Sequence, residues 1–146
     1  MILDEVHVGV AVSVPGGLVV PVVRDADRRS LADVAAAIEE LSGRARANQL
    51  RPADITGGTA TITNLGAHGV DAFTPIINPP ESAILGVGRI WMRPAVNDGQ
   101  LVARRTCTLS LTFDHRVADG APAADLLAAY ARRMQDEGFL AGLTRP

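Results

Sequence analysis

The chain has 146 residues and a formal charge of −2, enough for one domain and too balanced to argue for nucleic-acid binding. It is 47% apolar but only 3% aromatic, so its core must be built from Val, Ile, Leu and Ala. No apolar run approaches a membrane span, and the first residues lack a secretory-signal pattern.

Val6, Val8, Val10, Val12 and Val14 alternate with smaller or polar residues, the period of a strand. Pro15-Gly16-Gly17 ends that strand in a turn, and the apolar stretch 18–23 is expected to fold back on it as a hairpin. His7 alternates out of the valine face, so it is expected to face solvent. Ser30 followed by Asp33 has the pattern of a helix N-cap with an acidic first turn. Leu31, Val34, Ala35, Ile38, Leu41 and Ala45 then recur at helical spacing, predicting a helix over 31–47.

Thr59, Thr61 and Thr63 alternate with Ala60 and Ile62, a further strand. Residues 66–71 form a loop, and Pro75, Pro79 and Pro80 predict an irregular stretch. Residues 82–90 are expected to be a buried strand, joined through the turn Asn97-Asp98-Gly99 to one strand over 101–113. Within it the alternation of Cys107, Leu109, Leu111 and Phe113 predicts a buried thiol at Cys107, the only cysteine. Pro122 suits the first turn of a final helix packed through Ala123, Leu126, Leu127, Tyr130, Ala131 and Met134. These elements predict an α+β fold: a two-layer sandwich of a mixed, largely antiparallel sheet with helices on one face.

All 14 basic residues are arginine, which excludes a Schiff-base lysine and a phosphate-binding loop of the Gly-Lys-Ser/Thr type. Richness in Arg and Ala fits a GC-rich bacterial coding sequence; the expected location is the bacterial cytoplasm. His7 and His68 share no metal-ligand spacing with His115, and no metal site is expected.

The run Phe113-Asp114-His115-Arg116-Val117-Ala118-Asp119-Gly120 stands out, because an alternating strand stops at three consecutive ionisable residues. A histidine at a rigid strand end between carboxylates suits a base near pH 7. From these neighbours alone, a structural histidine bonded to a carboxylate is an equal reading.

Asp-His-Arg-x-x-Asp-Gly resembles the active-site motif of the dihydrolipoamide acyltransferase cores of 2-oxoacid dehydrogenase complexes, whose fold is that of chloramphenicol acetyltransferase. Gly57-Gly58-Thr59-Ala60-Thr61-Ile62-Thr63-Asn64-Leu65-Gly66, then Phe73-Thr74-Pro75-Ile76-Ile77-Asn78-Pro79-Pro80 and Ala83-Ile84-Leu85-Gly86-Val87-Gly88, are also similar, as is Gly16-Gly17-Leu18-Val19-Val20-Pro21-Val22. The blocks follow the family's order and cover nearly the whole chain.

The resemblance implies transfer of an acyl group between dihydrolipoamide and coenzyme A, with direct attack between two bound thiols. A thiol titrates near 8.5, so a neutral imidazole suits its deprotonation. His115 is the implied base. Thr63 is the implied hydroxyl donor to the tetrahedral oxyanion; the other reading is a strand threonine facing solvent, as expected of Thr59 and Thr61. Asp119 is an implied active-site residue whose carboxylate either returns toward the imidazole or holds an arginine. Asp114 and Arg116 are expected to be structural.

In this family the site lies between neighbouring subunits of a trimer, so His115 of one copy would face Thr63 of the next. The implied partners are a lipoyl domain, the dehydrogenase and dihydrolipoamide dehydrogenase components, and further copies in a homotrimer that builds a larger core. With no lysine, the lipoyl group must ride on another domain or chain. Residues 1–146 are expected to be the catalytic domain without the family's usual N-terminal segment, and without lipoyl or peripheral-subunit-binding domains. A non-catalytic, core-like assembly subunit is the alternative; an acyltransferase with a small-molecule acceptor is a third.

Overall fold

The computed structural model describes residues 4–97 and 99–143. Its centre is a five-stranded mixed sheet in the order β4-β1-β5-β6-β9. These strands are β1 (Val8–Val10), β4 (Val22–Val23), β5 (Ala60–Asn64), β6 (Ala83–Val87) and β9 (Leu109–Phe113). β1, β5 and β6 run parallel; β4 and β9 close the edges antiparallel. Two hairpins extend from it, β2 (Val12–Val14) with β3 (Gly17–Val19), and β7 (Trp91–Asn97) with β8 (Gln100–Thr106). The architecture is α+β, with a mixed sheet as expected.

The N-terminal hairpin forms, but it divides. Val10 N donates to Pro21 O, whereas Ala11 N donates to Ile62 O of β5. Successive N–H groups of this inner strand thus serve its two neighbours in turn, and the hairpin keeps one register across the interruption, Gly9 facing Val22 and Val12 facing Val19. Helix α1 (Leu31–Arg46) starts at Ser30, whose Oγ accepts from Asp33 N at 3.1 Å. It packs on β2 and β4.

The sequence reading of 82–113 needs correction. β7 is a separate strand, and the expected single strand over 101–113 is two, broken at Cys107-Thr108. β8 belongs to the hairpin and β9 to the main sheet. Asn97 pairs with Gln100 across the hairpin; Asp98 of the expected turn lies outside the described residues. The alternation is the same on both sides of the break, so it carried no sign of a change of sheet. Helix α2 (Gly120–Gln135) packs on β9, against the face of Leu111 and Phe113. Cys107 lies beyond that cover and is exposed, not buried.

Two further expectations fail for one reason: polar side chains found partners inside. His7 is buried, its Nδ1 accepting from Asp25 N at 3.0 Å. Thr61 is 1% exposed and bonded to Glu81, not solvent-facing. On α2 only Ala123 is buried; Leu126, Tyr130 and Met134 of the expected packed stripe are exposed. A short helix α3 (Glu137–Leu143) follows.

Segment 73–80 has no regular structure and lies across the other face of the sheet. A Cβ at Gly86 would stand 3.0 Å from Phe73 and 3.3 Å from Pro75. Gly88 is closer still: a Cβ there would overlap the backbone carbonyl of Asp71.

Candidate active site

β9 makes its last ladder contact where Asp114 N donates to Ser82 O at 2.8 Å. The chain then turns, with Val117 N and Ala118 N both donating to Asp114 O. Asp114 fixes this turn from its side chain. Oδ1 accepts from Arg116 N at 2.9 Å, and the Arg116 guanidinium reaches both carboxylate oxygens, the shortest contact being 2.6 Å. Hydrogen bonding by Arg116 holds the Asp114 carboxyl down at about 2 and raises the guanidinium in return.

His115 rides on this turn, presented rather than buried. Its side chain is 72% exposed, with the Phe113 ring 5.7 Å away. Asp119 stands at the N-cap of α2 but makes no side-chain cap bond. Its carboxylate faces the imidazole instead, Oδ1 lying 3.7 Å from Nδ1. Among the described residues Asp119 pairs with no arginine. That distance is long for a hydrogen bond, and Asp119 is itself 85% exposed. The pair leaves Nε2 open to solvent, the geometry a base needs to meet a second molecule.

Thr63 is elsewhere. It sits near the C-terminal end of β5, and its register partner Gly86 pairs in turn with Ser110. His115 lies five residues beyond Ser110, toward the opposite end of the sheet. Two strand spacings and five residues of rise separate the two by roughly 15–20 Å. The structure therefore brings His115 and Asp119 together within one chain, and leaves Thr63 apart.

Among the described residues, no group of three or more His, Cys, Asp or Glu side chains is arranged to hold a metal ion. No described helix is long and apolar enough to cross a membrane. A cleft of about 550 Å³ lies between the β2–β3 hairpin and the end of α1, lined by Leu18, Val19, Ala45, Leu50 and Ile55. It shares no lining residue with the His115 turn.

Sequence reasoning overlooked Glu81, buried beside Thr61. Its one signal was a lone carboxylate at the start of an apolar strand. It also overlooked the cluster in which Arg44 and Arg51 both reach Asp54.

The chain matches the family model for the catalytic domain of the 2-oxoacid dehydrogenase acyltransferases over residues 1–141. It is 45% identical to the dihydrolipoyllysine-residue acetyltransferase component of the acetoin cleaving system of Bacillus subtilis, covering 93% of this chain and 34% of that one. It is equally identical to the corresponding component of the pyruvate dehydrogenase complex of the same organism, over 89% and 29%. The chain thus spans about a third of the length of these relatives. A crystal structure of the dihydrolipoamide acetyltransferase of Azotobacter vinelandii superposes with a TM-score of 0.88 at 44% identity, over 92% of this chain and 55% of that one. That protein was studied for the roles of a serine, a histidine and an asparagine in its catalytic mechanism. The catalytic core of a 2-oxoacid dehydrogenase complex from Thermoplasma acidophilum superposes at 0.85 and 40% identity, over 93% and 60%.

Proposed function

The chain belongs to the 2-oxoacid dehydrogenase acyltransferase family, and on that footing we propose that it transfers an acyl group between dihydrolipoamide and coenzyme A. The single observation that carries this reading is the His115 turn: an imidazole with Nδ1 toward a carboxylate and Nε2 free to meet an incoming thiol. His115 takes the proton of the attacking thiol as its sulfur adds to the thioester carbonyl, and returns it to the thiolate expelled when the intermediate collapses. Thr63 donates its hydroxyl to the tetrahedral oxyanion. Asp119 orients the imidazole and stabilises its cation. The serine, histidine and asparagine studied in the Azotobacter vinelandii protein follow one another at the intervals that separate Thr63, His115 and Asp119, which supports the assignment.

Thr63 and His115 cannot act together within one chain, so the working site is formed between two copies, in a trimer that builds a larger core. The exposed surface supports contact with protein beyond this chain's 146 residues. It amounts to 10188 Å², whereas a compact 15.3 kDa monomer exposes about 7,100 Å². Leu18, Ile76, Ile90, Val96, Leu101 and Val117 all stand out into solvent, as expected of faces that partners cover. One copy of a solved relative of this family forms part of the cubic core of a pyruvate dehydrogenase complex. The lipoyl group arrives on another domain or chain, in the bacterial cytoplasm, where the dehydrogenase and dihydrolipoamide dehydrogenase components also dock.

The deciding experiment is acyl transfer between acetyl-coenzyme A and dihydrolipoamide by the assembled protein and its His115→Ala variant. Loss of about a hundredfold or more is expected; a loss below about tenfold would remove the base.

A further inference from the structure

The proposed reaction makes no use of the most deeply set carboxylate near β5. Glu81 is 7% exposed, and among the described residues no basic side chain reaches it. Its contacts are neutral: Thr61 Oγ1 donates to Oε2 at 2.5 Å, and Asn78 Nδ2 donates to Oε1 at 3.4 Å. Two glycines make room for it. A Cβ at Gly58 would overlap Oε1, and one at Gly9 would stand 2.7 Å from Thr61 Oγ1 and 3.4 Å from Glu81 Oε1. Burying a carboxylate without a cation costs free energy that an apolar side chain of the same size would avoid. Stability alone therefore does not account for Glu81 there.

What it touches does. Thr61 and Thr63 are two residues apart on one strand, so they share a face. Gly86, the register partner of Thr63, has Phe73 and Pro75 packed over it. Segment 73–81 is thus held to this face at two levels: by Phe73 and Pro75 beside Thr63, and by Glu81 on the Thr61 hydroxyl. We propose that Glu81 is a positioning residue for Thr63, acting through Thr61 to lock β5 against segment 73–81 and so to set where the Thr63 hydroxyl lies. A donor to a developing oxyanion must be placed within a fraction of an ångström, so a loosened strand lowers turnover while leaving substrate affinity alone. The inference rests on the reading of Thr63 as that donor.

The test is steady-state acyl transfer between acetyl-coenzyme A and dihydrolipoamide by the assembled protein, with wild-type Thr63 and with Thr63→Ala. Thr61→Val, which keeps shape and removes the hydroxyl, should lower kcat about tenfold with KM for both substrates unchanged. Glu81→Gln, which keeps an acceptor for Thr61, should stay within about threefold of wild type. On the Thr63→Ala background Thr61→Val should cost less than about twofold, because there is no hydroxyl left to misplace. Equal losses on both backgrounds, or a rise in KM in place of a fall in kcat, would overturn the positioning role. If Thr61→Val does not fold, Glu81→Met makes the same comparison. Failure of the Thr63 reading would show separately, as full activity in Thr63→Ala alone.

Discussion

Thr63 and His115 lie toward opposite ends of one five-stranded sheet. Thr63 is level with Ser110 through Gly86, and His115 is five residues farther along β9. A hydroxyl and an imidazole so placed can share a substrate only across a boundary between copies.

That boundary can be read by mixing. Thr63→Ala should lower kcat about a hundredfold with KM little changed, as for removal of one oxyanion donor. It and His115→Ala should each retain only about a hundredth of wild-type activity alone. Unfolding and reassembling the two as an equal mixture should restore about a quarter of wild-type activity, the chance that an intact Thr63 meets an intact His115 across a cyclic interface. No recovery in mixed particles, verified by mass, would place both groups in one copy.

Asp119 faces His115 at 3.7 Å and caps nothing. Of the two roles proposed for it, orienting the imidazole is one that an amide oxygen also serves. Asp119→Asn should therefore keep activity within about fivefold, and Asp119→Ala should lose more than about tenfold, at unchanged melting temperature. Equal loss in both variants would show that the charge itself is required.

Gly88 is enforced by backbone. A Cβ would meet the carbonyl of Asp71 and approach that of Thr108, and neither can swing aside. Gly88→Ala should destabilise by at least about 3 kcal/mol in urea unfolding. Gly142→Ala, where nothing lies within 4 Å, should change stability by less than about 1 kcal/mol. Similar midpoints for the two would refute the close approach.

Acid should act on the Asp54 cluster. Hydrogen bonds from the Arg51 side chain and backbone, with a further one from Arg44, hold the Asp54 carboxyl below the usual carboxylate range. A carboxyl lowered by folding stabilises the protein above its unfolded value, near 4, and this contribution is lost as pH falls through the folded value. Asp54→Asn should melt lower than wild type at pH 7, and the gap should narrow as the pH drops below about 4. A gap constant from pH 7 to pH 3 would contradict the assignment.

Helix α1 was legible because its signals are local: Ser30 caps, the apolar stripe repeats, and the observed helix ends one residue before the expected 47. β5 and the irregular 73–80 stretch were legible for the same reason, through alternation and three prolines. The β8–β9 break was not. Alternation continues through Cys107, and nothing in it tells which sheet a residue joins. Alternation puts His7 and Thr61 off the apolar face and so predicts exposure; Asp25 N and Glu81, distant in sequence, provide the partners that let them sink.

The amino-acid order by itself determined the family and singled out the side chains proposed to carry chemistry, since motif and periodicity are properties of neighbours along the chain. Tertiary structure alone decided which of those side chains meet. His115 reaches Asp119 because one turn folds four residues back, but strand register places Thr63 and Glu81, and register depends on hydrogen bonds between segments that local sequence does not pair.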